Sequence, residues 1–189
     1  METVPVLEQL VERCRKAVAG TSPREEISAV MHALFEDPAT LAASIPRFSD
    51  DEVETSPNGF RLGGEHVAHR SEDLTVMVLD TLPGVIQPPH DHSMTAMIGV
   101  FEGCEEQRFW ARGDDGITPA AGRMLEAGEV VVLRERAIHA ISSPAHAPAR
   151  AIHVYLGDIY DVDRSIFDPD TLEEHPMTDD RYDAFCRPA

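Results

Sequence analysis

From Gly63 onward the chain is a succession of short β-rich runs broken by Gly, Pro and Asp, with no helical segment between one run and the next. EHVAHR, DLTVMVLDTL, MTAMIGVFEG, EQRFWAR, GEVVVL, AIHAIS and ARAIHVYLGDI follow at short intervals. A parallel α/β sheet would need crossover helices between its strands. Their absence predicts a mainly β unit, a sandwich or barrel, over residues 63–168.

Ahead of this unit the periodicity is helical. Leu7, Leu10, Val11, Cys14 and Val18 recur at helical spacing in residues 6–18. Ile27, Val30, Met31, Leu34 and Phe35 do so in residues 24–35, with Thr21 or Ser22 as N-cap before Pro23. A short third helix is expected over residues 38–44, closing an N-terminal helical segment at 1–46. Residues 169–189, rich in Asp, Glu and Pro, read as an irregular surface tail covering the β unit. Neither a repeat nor a linker interrupts the 189 residues, so a single domain is expected.

Charge and cysteine usage exclude several classes of function. With 34 acids against 16 Lys and Arg, the net charge of −18 opposes binding to nucleic acid or to an anionic membrane surface. Cys14, Cys104 and Cys186 form no CxxC pair, which excludes a zinc ribbon and gives no disulfide framework. No stretch reaches the ~20 apolar residues of a membrane span. METVPVLEQLVERCRKAV lacks a signal-peptide core, so a cytoplasmic, reducing setting is the expectation.

The chemistry gathers in Pro88-Pro89-His90-Asp91-His92. Alternate residues of an extended strand share a face, so His90 and His92 point together and Asp91 points away. Two imidazoles from one strand make half of a metal site, and His139 in a later strand segment supplies a third donor. Gly84 before the pair, Gly103 after it and Gly128 ahead of His139 complete a pattern that resembles the two motifs of the cupin superfamily. The second motif departs from the usual form, with Arg134, Arg136 and Ser143 where Pro, Gly and Asn are common. The glutamate ligand of the first motif is also missing, because Ala96 or Met97 stands at its place. Three neutral imidazoles leave the charge of a divalent ion uncompensated, which favours an anionic substrate. Imidazole suits Fe, Zn, Cu and Ni alike, so ligand type does not select the metal.

Residues 149–159 form a second strand that can be read by parity. Ile152, Val154 and Leu156 share one face, and Ala151, His153 and Tyr155 the other. Buried, the His and Tyr must satisfy each other or line a cavity. PPHDHS, IGVFEG, AIHAIS and AIHVYLGDIY together resemble the cysteine dioxygenase type I group of thiol dioxygenases over residues 70–160. That resemblance implies a cupin double-stranded β-helix barrel (jelly roll) with N-terminal α-helices. It implies Fe(II) on His90, His92 and His139, with Zn, Ni or Mn as other divalent choices. It further implies O₂-dependent oxidation of a small thiol to a sulfinate, with His153 and Tyr155 as the last two members of a Ser-His-Tyr relay. Ala151 replaces the serine, and the tyrosine-linked cysteine of some members is absent.

By the same resemblance Arg70 is the candidate for binding a substrate carboxylate, ahead of Arg61, Arg108 and Arg150. The expected partners are a small-molecule thiol and O₂, with a homodimer left open. Two alternatives share the metal motif: a cupin dioxygenase acting on a chelating substrate such as a diketone, and a non-catalytic cupin that binds a metal or small ligand.

Overall fold

The computed structural model describes residues 4–114, 116–144 and 146–189. Three helices open the chain: α1 (Pro5–Val18), α2 (Pro23–Leu34) and α3 (Pro38–Ser44). Each begins on a proline, whose missing N–H is one that a helix start leaves unbonded anyway. Asp37 caps α3 by accepting from the Thr40 N–H at 3.1 Å. Ser22 occupies the cap position of α2, although its side chain makes no capping bond.

The strands are β1 (Val53–Thr55), β2 (Arg61–Ser71), β3 (Leu74–Thr81), β4 (Val85–Ile86), β5 (Ala96–Glu102), β6 (Cys104–Gly113), β7 (Gly116–Pro119), β8 (Arg123–Glu126), β9 (Val130–Leu133), β10 (Ile138–Ser142), β11 (Ala149–Tyr155), β12 (Ser165–Phe167) and β13 (Glu174–Pro176), followed by α4 (Asp179–Phe185) and β14 (Arg187–Pro188). They form a six-stranded sheet in the order β1-β2-β3-β11-β5-β9. A second sheet runs β14-β4-β10-β6-β7, with β8 also on β6, and β12 pairs with β13. All these strand pairings are antiparallel, and β11 lies between β3 and β5 far from it in sequence. The mainly β architecture with N-terminal helices is as the sequence implies.

Alternation sorts the six-stranded sheet into two faces. Met77, Ala96, Ile98, Val100, Ala151 and Tyr155 point inward and meet Leu125 and Leu133. Val76, Val78, Met97, Phe101, Ile152 and Val154 point outward and are covered by Leu7, Leu10, Ile27, Met31 and Phe35 of the helical segment. Close approach here requires Gly99, where a Cβ would fall 2.4 Å from the Phe35 ring. Gly103 turns the chain from β5 to β6 at φ 74°, and a Cβ there would meet the Pro148 carbonyl at 2.5 Å.

Arg150 is buried on the helix side of β11, at 0% exposure. It donates to Asp80 at 3.3 Å, to Glu102 at 3.0 Å and to the carbonyls of Ile45 and Pro46 at 3.1 and 2.7 Å. It therefore ties the end of the helical segment to the sheet and is not available to a substrate.

The C-terminal expectation needs correction. Residues 169–189 are not an irregular cover: they form β13, α4 and β14, and β14 pairs with β4. Cys186 and half-buried Tyr182 pack with Leu62 and Val85. The acidic and proline-rich composition concealed these few apolar contacts. Among the described residues no helix is long and apolar enough to cross a membrane.

Candidate metal centre

The backbone brings the first and third histidines together. The His90 N–H donates to the His139 carbonyl at 2.8 Å, and the His139 N–H returns the bond at 2.9 Å. His92, two residues along, turns its ring to the same place. The ring centroids are 5.1 Å apart for His90 and His92, 4.7 Å for His90 and His139, and 4.9 Å for His92 and His139. All three side chains are buried, and one nitrogen from each lies within 4.8 Å of the others.

The nitrogens are sorted by their hydrogen bonds. His90 Nδ1 lies 2.9 Å from the Pro88 carbonyl, which can only accept, so Nδ1 carries the proton. His139 Nδ1 donates to Gln107 Oε1 at 2.6 Å. In the neutral rings Nε2 is then the bare nitrogen. His139 Nε2 and His92 Nε2 stand 3.3 Å apart. Two nitrogens each ~2.1 Å from one ion lie about 3.0–3.4 Å apart at ordinary bond angles. Burial holds the imidazoles neutral, pushing His90 down to about 4 and His92 and His139 well below the free value. Neutral, converging and pre-oriented, the trio fits a single divalent ion.

Ala96 is the inward residue of the Ala96–Met97 pair, so the place of a glutamate ligand is taken by a methyl group. A carboxylate stands farther back. Gln107 donates from Nε2 to Glu105 Oε1 at 2.6 Å, and Thr81 donates to Glu105 Oε2 at 3.0 Å. Glu105 and Gln107 are both 0% exposed. Sequence reasoning missed them because β6 is polar on both faces, so alternation could not show which side was interior.

His153 and Tyr155 join the site from β11. His153 Nδ1 and the Tyr155 hydroxyl are 2.9 Å apart, and the Tyr155 ring meets His92 edge-on at 5.1 Å. Among the described residues His153 Nε2 is buried without a partner. In one tautomer Tyr155 donates to Nδ1 and the Nε2–H is unshared; in the other Nδ1–H donates and the phenol proton is unshared. Either way the pair keeps one hydrogen for a guest.

These residues line a cavity of about 210 Å³. Tyr182 reaches it from α4, its ring 6.1 Å from that of His90 and its hydroxyl bonded to Gln87. Exposed Glu54, Glu65 and Asp179 and half-buried Asp183 stand at the mouth.

Arg70 does not line this cavity. It pairs with Asp158 at 2.8 and 2.9 Å and lies over the Tyr160 ring at 4.8 Å. The arginine on the cavity wall is Arg164, which the sequence reading did not single out. Burial lowers His90 and His92 and raises the Tyr155 and Tyr182 phenols; the positive charge of Arg164 adds to the first effect and partly opposes the second. Among the described residues no carboxylate lies within ion-pair reach of it. Its place in DVDRS, outside any hydrophobic pattern, carried no signal.

No known protein family's sequence profile matches the chain. Among solved structures, the DMSP lyase DddQ from Ruegeria pomeroyi DSS-3 is similar at 15% identity and a TM-score of 0.52, covering 88% of this chain and 98% of that one. The chain has the cupin fold, a double-stranded β-helix. An uncharacterized conserved protein with a double-stranded β-helix domain from Klebsiella pneumoniae subsp. pneumoniae MGH 78578 aligns at 19% identity and a TM-score of 0.44, over 66% of this chain and 93% of that one. An oxalate decarboxylase aligns at 15% identity and a TM-score of 0.44, over 60% of this chain, which spans only 35% of the decarboxylase. The three histidines of the site lie on β10 and on the segment between β4 and β5, and all are buried.

Proposed function

We propose that this cupin is a metal-dependent oxygenase that converts a small thiol, cysteine or a related mercapto acid or amine, to its sulfinate. The observation that carries the reading is the union, in one buried cavity, of three neutral imidazoles with the His153–Tyr155 pair. The net reaction, RSH + O₂ → RSO₂H, forms two S–O bonds, oxidises sulfur by four electrons and reduces O₂ by four. Fe(II) held by His90, His92 and His139 would supply the redox chemistry that joins O₂ to the sulfur.

The chain's own residues supply the rest. Three neutral donors leave the ion's double charge intact, which favours the thiolate over the thiol in the cavity. The unshared hydrogen of the His153–Tyr155 pair is offered to substrate or oxygen. Arg164 is the unpaired fork for a substrate carboxylate, and the acidic mouth suits an ammonium group on the same molecule. Barrel walls such as Met77, Leu79 and Ile159 limit water around the reacting atoms.

The test is metal analysis of protein purified without oxygen, then O₂ uptake with cysteine, cysteamine and 3-mercaptopropionate against a diketone. A thiol should drive uptake with a matching yield of sulfinate, and His139→Ala should lose both metal and uptake. Uptake with the diketone alone would move the chain to carbon–carbon cleavage. Tight metal binding with no uptake would make it a binding cupin.

A further inference from the structure

Among the described residues the three-histidine site has no anionic ligand, yet a buried carboxylate is wired to it through one amide. Gln107 has only one arrangement that satisfies both neighbours when Glu105 is ionised. Its NH₂ must face the carboxylate, which cannot donate, and so its carbonyl must face His139. That carbonyl accepts only, so His139 must hold its proton on Nδ1 and present bare Nε2 to the cavity. Thr81 supports the far carboxylate oxygen. With all three groups sealed from solvent, no water is needed to complete the chain of bonds.

We infer that Glu105 and Gln107 are positioning residues for the metal, an anionic arm that fixes the His139 tautomer and supplies in part the negative charge that the ligands themselves lack. The inference rests on the three-histidine reading but not on the thiol chemistry. A negative end to the arm makes the His139 ring more basic toward a cation, as an aspartate does when it bonds a ligand histidine directly. Burial works against ionisation, raising Glu105 to about 7; a bound cation pulls in the other direction. The arm is therefore charged most readily when the site is loaded.

The experiment is Co(II) binding to the full chain, by competition with a chromophoric chelator at pH 7.5, with the visible Co(II) spectrum as a second readout. Gln107→Leu and Glu105→Gln should each weaken Co(II) binding by about ten- to a hundredfold and shift the spectrum. Because Glu105 acts through Gln107, the double variant should bind no more weakly than Gln107→Leu alone, whereas independent structural effects would add. Should Gln107→Leu fail to fold, Glu105→Gln, which keeps the side-chain volume, carries the affinity test with Thr81→Val as the milder partner in the cycle. Parent-like affinity in the single variants, or additive losses in the pair, would overturn the inference. Failure of the parent itself to bind Co(II) would remove the metal reading and the inference together.

Discussion

His90 and His139 exchange both of their backbone hydrogen bonds, at 2.8 and 2.9 Å, although 49 positions separate them in the chain. Two of the three metal donors are thus held by the same bonds that hold the barrel together, and the binding site exists only when the barrel is folded. Metal binding is therefore linked to folding. Adding Co(II) or Fe(II) at about 100 times Kd should stabilise the chain by ~2.7 kcal/mol, a thermal shift readily seen by differential scanning fluorimetry. An unchanged Tm at saturating metal would mean that the rings do not share an ion.

Tyr155→Phe removes the phenol and leaves all three metal donors in place. Loss of one hydrogen bond to a charged group costs about 1.5–3 kcal/mol, which is about a 10- to 100-fold fall in kcat. Metal content per chain should stay at the parent level. Loss of metal together with activity would assign Tyr155 to holding the site and not to the reaction.

Arg164→Gln should raise KM for 3-mercaptopropionate by about 10-fold or more, the weight of a charge-assisted bond. Cysteamine, which has no carboxylate, should be affected far less. Arg70→Gln, outside the cavity lining and paired with Asp158, should leave both substrates within about twofold of the parent, since exposed ion pairs contribute little. The opposite ranking of the two variants would restore Arg70 to the substrate.

Arg150→Met leaves Asp80 buried without its guanidinium. Breaking a buried pair on one side costs about 3–5 kcal/mol, so Tm should fall by on the order of 10 °C. Activity per folded, metal-loaded chain should be preserved, because Arg150 lies on the helix side of β11.

In the metal-free chain, buried ionisable groups oppose one another with pH. His90 and His153 titrate at about 4 and about 3 when folded, below the free value of 6.5. Their contribution is complete above about 6.5 and is lost as pH falls through the folded values. Glu105 has the opposite sign: its folded pKa of about 7 exceeds the ordinary 4.5, so its contribution is full below 4.5 and is lost as pH rises through 7. Urea titrations from pH 4.5 to 8 should show Glu105→Gln gaining on the parent by on the order of 3 kcal/mol. Curves that stay parallel would contradict a buried carboxyl titrating there.

The short β runs, the helical spacing of Ile27, Met31 and Phe35, and the HxH-plus-His139 pattern were legible without coordinates, because alternation and helical period are local consequences of backbone geometry. Parity likewise put His153 and Tyr155 on one face. The sequence alone therefore determined the barrel, its helical cover and which three histidines come together. Only the tertiary structure decided that Arg164 and not Arg70 faces the cavity, that Glu105 and Gln107 lie behind His139, and that the tail contributes Tyr182. These depend on pairing between β6 and β10, on the path of β12 after β11, and on α4 closing over β4, contacts between residues far apart in sequence. Local periodicity says which side of a strand a residue takes; it does not say which distant strand that side will face.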